Sequence, residues 1–290
     1  MKFTVEENVP LAPYSTFKIG GSAKYFTKIH SIEQMVETMA FVRENQLPFF
    51  ILGNGSNILF DDRGFNGLVI HNRILHCEFD KNRVHCGAGY NYSLLGSRVL
   101  KRKLSGLTFA IGIPGSVGGA VYMNAGAFGT DTFSVLDKVT FIDIQGNIRV
   151  YEKAELEHGY RYSIFQNMKG VILSAEFILH DFNEEREKQL QDMLAHRFTS
   201  QPYKHPSAGC IFQNPKPDMP ASLLIDQLQL KGKKIGGAKV SEKHANFIVN
   251  DAQATSKDVL ALIEHVKEVV AKHKDIQLNT EVRYLPYQNE

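Results

Sequence analysis

At 290 residues the chain exceeds the usual length of one domain and accommodates either two packed units or one large one. Hydrophobic residues make up 43% and charged residues 22%, and the formal net charge is +2, a balance that argues against nucleic acid or a membrane surface as the main partner and for a small molecule. No apolar core ending in small residues occurs in MKFTVEENVPLAPYSTF, and no stretch offers about eighteen uninterrupted apolar residues, so we expect a cytoplasmic protein with no obligate protein partner.

The first elements read as α/β. SIEQMVETMAFVREN predicts a helix with Ser31 as N-cap, Gln34 three residues later and an apolar stripe of Ile32, Met35, Val36, Met39 and Val42. LPFFILG predicts a strand that runs into GNGSN (Gly53 to Asn57), and GLVIHN predicts another. RILHCEFDKNRVHCG predicts a hairpin carrying His76-Cys77 and His85-Cys86. Neighbours along a strand point to opposite faces, so these four side chains cannot close one tetrahedral metal site, and we expect no metal and small core cysteines. With Cys210 the cysteines number three, which argues against a disulfide framework.

YSLLGSRVLKRKL predicts a second helix, and after it LTFAIGIPGSVGGAVYMNAGAFG crowds Gly112, Gly115, Gly118, Gly119, Gly126 and Gly129 together. Glycine costs conformational entropy and is justified where backbone turns with positive φ or approaches a ligand closely, so two such loops point to a large ligand with phosphates. No G-x-x-x-x-G-K-[ST] occurs, and GAG at Gly87 to Gly89 lacks a third glycine and an acidic residue about twenty positions later, which argues against a P-loop or Rossmann site. Backbone amides assisted by Ser56, Asn57 and Ser116 remain able to cradle a pyrophosphate; glycine-rich packing of a β-rich core is the other reading these residues allow.

Further on, VTFIDIQGNIRVY predicts a hairpin turning at Gly146-Asn147, VILSAEFIL a strand, and NEEREKQLQDMLAHRF a helix with Leu190, Met193, Leu194 and Phe198 as its apolar residues. The proline-rich TSQPYKHPSAGCIFQNPKPDMP reads as an ordered connection that opens a new unit. That unit holds a helix near ASLLIDQL, a basic stretch with Lys231, Lys233, Lys234 and Lys239, a strand FIVN, the helix TSKDVLALIEHVKEVVAKH and a final strand TEVRYLP. The expected division is 1–196, in two parts of about 1–70 and 71–196, and 197–290, with the last strand able to return to the first domain.

Taken together, YSTFKIGGSA, ILGNGSNILF, GIPGSVGGAVYMNAGAFG, GYRYSIF, HPSAGCIFQNP, GGAKVSEKHANFIVN and TEVRYL resemble the UDP-N-acetylenolpyruvoylglucosamine reductase (MurB) family, in that family's order and across nearly the whole chain. The resemblance is to its shorter subtype, whose substrate domain lacks an extra tyrosine-bearing loop. It implies an α+β protein: a two-subdomain FAD-binding fold of the vanillyl-alcohol oxidase type followed by a C-terminal α+β substrate domain. It further implies FAD as cofactor, NADPH as co-substrate, and reduction of UDP-N-acetylglucosamine enolpyruvate to UDP-N-acetylmuramate in peptidoglycan precursor synthesis.

The resemblance also assigns residues. Gly53, Asn54, Gly55, Ser56, Asn57 and Ile58 would meet the cofactor, as would Gly112, Ile113, Pro114, Gly115, Ser116, Gly118 and Gly119. Asn124, Ala125, Gly126 and Gly129 extend that second loop, and Tyr14, Ser15 and Thr16 would lie along the cofactor as well. Arg161 and Glu281 would polarise the substrate carboxylate, arginine through its permanently charged fork and glutamate by carrying a proton, since two carboxylates at close range cannot both ionise cheaply. Cys210 stands where the family usually has a serine proton donor; a thiol, with a reference pKa of about 8.5, still has a proton to give. Asn214 matches a substrate contact, Lys204 and His205 are candidate diphosphate partners, and Phe128 replaces a frequent tyrosine. The four lysines would attract the diphosphate. Two other readings stay open: a flavin oxidoreductase of the same fold with another substrate, and a catalytically impaired binder of flavin or a UDP-sugar, for which Cys210 and Phe128 are the suggestive departures.

Overall fold

The computed structural model describes residues 3–288. The chain forms two compact units: a larger one built from Tyr25–Asn54 and Gly67–Arg197 with the N-terminal residues to Glu6, and a smaller one built from Glu7–Lys24, Gly55–Asn66 and the chain from Phe198 onward.

In the larger unit the first helix spans Ile32–Glu44 and is capped as its sequence predicts, Ser31 Oγ accepting from the Gln34 amide at 3.2 Å. Gln34 Oε1 reaches back to the His30 amide at 2.8 Å, one residue earlier than in the standard capping box. Met35, Met39 and Val42 face a core with Leu68, Ile70, Val171 and Leu173. Phe49–Leu52 runs parallel to Phe65–Asn72, with Phe49 opposite Leu68 and Leu52 opposite His71.

Beside this lies a five-stranded antiparallel sheet in the order Ile148–Glu152, Leu136–Asp143, Gly170–Ile178, Arg83–Gly87 and Cys77–Asp80. Its two faces feed two cores, because successive side chains alternate. Val171 and Leu173 join the core of the first helix, whereas Ile172, Ala175 and Phe177 join a second core with Val84, Leu95, Val99, Phe109 and Phe133. Leu173 and Ala175 would share a face in a regular strand. They do not, because the pairing with Leu136–Asp143 slips between Thr140↔Ser174 and Phe141↔Ile172, and that bulge at Leu173 reverses the alternation.

Within helix Glu184–Ser200 the apolar residues divide differently from the expected set: Leu194 is buried, whereas Met193 and Phe198 are nearly half exposed at 47% and 49%.

The smaller unit has a four-stranded antiparallel sheet in the order Ser207–Cys210, Phe247–Asn250, Ala238–Val240 and Lys234–Ile235, with helices Ala221–Gln227 and Ser256–Lys274. Val259, Leu262, Ile263, Val266 and Val270 of the long helix recur at three and four residues and pack with Phe17, Leu59, Ile211, Phe212 and Ile248. That helix starts with a capping box in which the Thr255 hydroxyl accepts from the Asp258 amide and the Asp258 carboxylate from the Thr255 amide. Asp62 adds a carboxylate at the same end, accepting from the Ser256 amide and hydroxyl, each at 2.8 Å. The terminal strand Arg283–Leu285 lies parallel to Ile58–Phe60. Among the described residues no helix is long and apolar enough to cross a membrane.

Candidate active site

The HPSAGC stretch ends the strand Ser207–Cys210, whose pairing with Phe247–Asn250 slips between Ser207↔Val249 and Cys210↔Phe247. Gly209 fills the slip at φ +78, a left-handed conformation in which a side chain costs about 1–2 kcal/mol. Thr16 holds the start of this strand: its hydroxyl donates to the Ser207 carbonyl at 2.7 Å and its carbonyl accepts from the Ser207 amide at 3.1 Å. Cys210 is half-buried. Directly beyond it, the Ile211 carbonyl accepts from the Glu281 amide at 2.7 Å and Phe212 bridges Thr280, so the segment that follows Cys210 pairs with the segment that holds Glu281. The Glu281 carbonyl in turn accepts from Asn57 Nδ2 at 3.2 Å, which ties the GNGSN loop to the same end of this unit.

Gly55 stands at the centre of that loop with φ +62, and a Cβ there would lie 2.0 Å from the Tyr14 carbonyl oxygen. Thr16 also donates its amide to the Gly55 carbonyl at 3.0 Å, so Tyr14 to Thr16 and Gly55 form one close-packed backbone layer. The Asn54, Gly55 and Ser56 amides give no hydrogen bond to a backbone carbonyl among the described residues. Three successive uncommitted amides in a glycine turn form a cradle suited to an anion such as a pyrophosphate.

In the larger unit, Asn54 Nδ2 donates to the Gly115 carbonyl at 2.8 Å, which joins the end of GNG to the start of the second glycine loop. That loop is more structured than its glycine content suggests. Gly112 donates to Ser93 Oγ at 2.8 Å and Gly118 to the Ala88 carbonyl at 2.8 Å, while Ser116 Oγ caps the short helix Val117–Met123 by accepting from Gly119. The Gly112, Gly118 and Gly119 amides are therefore spent within the chain. Asn124 is buried with its amide fully engaged: Nδ2 donates to Asp131 and to the Gly159 carbonyl, and Oδ1 accepts from the Phe133 amide. It links the stretch from Ala125 to Gly129 with the neighbouring strand His158–Gly159.

Arg161 lies with Tyr160 in the two-residue turn between that strand and Tyr162–Ser163. Its backbone is left-handed at φ +56, its Nη2 donates to the Gly126 carbonyl at 3.1 Å, and its guanidinium carbon lies 4.9 Å from the centre of the Tyr160 ring. Gln166, which the sequence reading did not single out, secures the turn by donating Nε2 to both the Arg161 and the Tyr122 carbonyls, each at 3.0 Å. The signal was its place directly after GYRYSIF, and polar residues at a motif's edge carry no pattern of their own. Phe128, also left-handed at φ +57, presents its ring to the Arg197 guanidinium 5.7 Å away.

Of the remaining candidates, Asn214 Oδ1 accepts from the Ala221 amide at 3.1 Å and so holds the start of a helix, and Lys204 and His205 lie exposed in the turn before Ser207. The lysine run is largely neutralised: Lys231 pairs with Asp226 at 2.9 Å, and Lys234 and Lys239 pair with Asp251 at 2.7 and 3.1 Å. Its pull on a diphosphate is correspondingly reduced.

The amide cradle at Gly55 is suited to a dinucleotide's pyrophosphate, and residues 23–151 match a family described as FAD binding domain. Residues 201–285 match UDP-N-acetylenolpyruvoylglucosamine reductase, C-terminal domain. The reductase of that name from Protochlamydia amoebophila is 49% identical, covering 99% of this chain and 98% of the relative, and that of Chlamydia felis is 47% identical, covering 98% and 96%. A crystal structure of the Thermus caldophilus reductase (MurB) superposes with a TM-score of 0.83 at 34% identity, over 98% of this chain and all of that one. The chain belongs to the UDP-N-acetylenolpyruvoylglucosamine reductase family, an α+β fold with an FAD-binding domain.

Proposed function

We propose that the chain reduces UDP-N-acetylglucosamine enolpyruvate to UDP-N-acetylmuramate for peptidoglycan synthesis, with NADPH as electron donor and Cys210 as the proton donor. It is an FAD-containing oxidoreductase acting on small-molecule substrates, as its full-length likeness to the family supports. We place it in the cytoplasm, where NADPH is at hand. Bound FAD supplies the hydride relay from NADPH to the terminal vinyl carbon of the substrate.

Asn54, Gly55 and Ser56 would hold the cofactor's pyrophosphate through their uncommitted amides, with Tyr14 to Thr16 beneath them. Ser116, Gly118 and Gly119 shape the second loop rather than donate from it, so we assign its cofactor contacts to Gly115 and to the stretch from Ala125 to Gly129. The chain's remaining task is to stabilise negative charge on the carbon next to the carboxylate and then to protonate that carbon. Arg161, aimed by Gly126 and Gln166, would bind the carboxylate. Glu281 would share a proton with it, and Cys210 would give its thiol proton to the carbon, becoming a thiolate that solvent reprotonates.

The observation that supports this assignment is that Glu281 pairs with Ile211, the residue after Cys210, its amide donating to the Ile211 carbonyl at 2.7 Å. Anaerobic stopped-flow tests it: the flavoprotein is reduced with NADPH, the enolpyruvyl substrate is added, and flavin reoxidation is followed in wild type, Cys210→Ser and Cys210→Ala. Wild type and Cys210→Ser should reoxidise, with Cys210→Ala slower by about 10² or more. An alanine variant as fast as wild type removes the thiol from the mechanism. A wild type that never reoxidises, while Cys210→Ser does, makes the chain an impaired copy.

A further inference from the structure

The hairpin Cys77–Asp80 to Arg83–Gly87 contains two thiols that the reductase reaction does not use. Cys77 and Cys86 are directly opposite in the register, and their sulfurs lie 3.2 Å apart with Cys86 donating to Cys77. The neighbouring pair His76 and Gly87 exchanges the ladder hydrogen bond, Gly87 amide to His76 carbonyl at 2.9 Å. Hydrogen-bonded and non-hydrogen-bonded pairs alternate, so Cys77 and Cys86 form a non-hydrogen-bonded pair, the kind whose Cα atoms approach to about 4.5 Å. That spacing falls within the range a disulfide spans, about 4.4–6.8 Å, without backbone movement. His76 and His85 project from the opposite face, their rings 4.7 Å apart.

The two thiols differ in setting. Cys86 is fully buried among Val84, Leu95 and Val99, whereas Cys77 is half-buried at the sheet's edge. Helix Tyr92–Lys101 lays Arg98, and Arg102 just past its end, along the Cys77 face. Both guanidinium carbons lie over the Phe79 ring, at 5.3 and 4.0 Å, and Arg98 also donates to the Tyr90 hydroxyl at 2.8 Å. The hydrogen bond from Cys86, reinforced by the arginine charges, lowers the pKa of the Cys77 thiol, while the same contact and burial push Cys86 up. One sulfur is thus a thiolate-prone nucleophile and the other a thiol positioned to resolve it.

We propose that Cys77 and Cys86 form a peroxide-reactive dithiol that closes to a cross-strand disulfide at the edge of the five-stranded sheet. The Cys77 thiolate attacks a hydroperoxide: an S–O bond forms, the O–O bond breaks, and the departing hydroxide leaves as water after taking a proton. Cys77 is now a sulfenic acid, oxidised by two electrons. Cys86 attacks that sulfur, the S–S bond forms, the S–O bond breaks, and the second hydroxide leaves as water with the Cys86 proton. A small dithiol reverses the change by exchange.

Tryptic mapping reads this directly, because Lys81 and Arg83 separate the two cysteines into different peptides. The flavin-loaded wild-type protein is treated with a few equivalents of hydrogen peroxide, alkylated with iodoacetamide under denaturing, non-reducing conditions, and digested. A Cys77–Cys86 linked peptide should account for most of the hairpin and disappear after dithiothreitol, and Cys210→Ser should behave alike. Cys77→Ser should abolish the linked peptide and slow the peroxide-dependent loss of Cys86 alkylation at least tenfold. Cys86→Ser should accumulate sulfenic acid at Cys77, trapped by dimedone; should that buried substitution prevent folding, the wild-type map and Cys77→Ser decide. Recovery of both wild-type peptides fully alkylated, at a peroxide dose that oxidises Cys210, overturns the proposal, and so does linkage of either cysteine to Cys210.

Discussion

Replacing Gly55 with alanine isolates the cost of filling the loop that we assign to the cofactor. Two effects combine. At φ +62 a side chain is left-handed, which costs about 1–2 kcal/mol, and its Cβ would sit 2.0 Å from the Tyr14 carbonyl oxygen and 3.0 Å from its carbon. Those are backbone atoms at the end of the 3-10 turn Ala12–Tyr14, so a rotamer change cannot relieve the overlap and the turn itself must shift, a strain of about 1–3 kcal/mol. The sum is about 3 kcal/mol. Gly209 supplies the control: it is also left-handed, at φ +78, but a Cβ there meets nothing within 4 Å, so Gly209→Ala should cost only the backbone part, about 1 kcal/mol. At about 2–4 °C per kcal/mol, Gly209→Ala should lower Tm by about 2–4 °C and Gly55→Ala by about 6–12 °C. Flavin content measured on the folded variants should fall for Gly55→Ala, because moving the turn displaces the three uncommitted amides. Equal Tm losses for the two variants would refute the close approach of Tyr14 to the loop.

Three further outcomes follow from the geometry. His71 is held down to about 4 from 6.5, first by burial and then by Arg73, Lys28 and His30, so the unfolded chain binds more protons between those values. Stability should therefore be lost as pH falls from 6.5 toward 4, by at most about 2 kcal/mol once partial exposure is allowed for, and denaturant midpoints for His71→Gln should show a flatter slope across that window. Asp62→Ala removes the acceptor for the Ser256 amide and hydroxyl and should cost about 1–2 kcal/mol in urea unfolding; no loss would mean that the Thr255–Asp258 box caps the helix alone. If Glu281 works as a neutral donor, Glu281→Gln should stay within about tenfold of wild-type kcat while Glu281→Ala drops by about 10², and equal losses would require the carboxylate itself.

How much of this was legible depends on what kind of signal a residue leaves. Helix Ile32–Glu44 was legible because Ser31, Gln34 and the spacing of Met35, Met39 and Val42 repeat one period, and the hairpin facing of Cys77 and Cys86 followed from the alternation of a strand. The bulge at Leu173 was not, because an inserted residue leaves every side chain's chemistry unchanged and alters only which neighbour it opposes. The discontinuous composition of the smaller unit, which gathers Glu7–Lys24 and Gly55–Asn66 with the C-terminal chain, follows from pairings such as Arg283–Leu285 on Ile58–Phe60, and long-range parallel register has no local sequence signature.

The same limit explains the least legible feature of the candidate site. Glycine density advertises turns, and it drew attention to the loops around Gly55 and Gly115. Yet Phe128 and Arg161 also take left-handed backbones, at φ 57 and 56, with side chains that give no hint of it, whereas Asn124, at φ 42, ends its helix in a conformation that asparagine favours. Each costs about 1–3 kcal/mol that surrounding contacts must offset. Asn124 is held by Asp131, Gly159 and Phe133, and Arg161 by Gly126 and Gln166. A backbone held in a costly conformation by several independent bonds is rigid, and rigidity is what a carboxylate-binding arginine needs if it is to stabilise charge without reorganising as that charge develops. In the role we propose for Arg161, the strain of its backbone and the bonds from Gln166 are two parts of one positioning device, visible only in the folded chain because an arginine side chain carries no signal of a left-handed backbone.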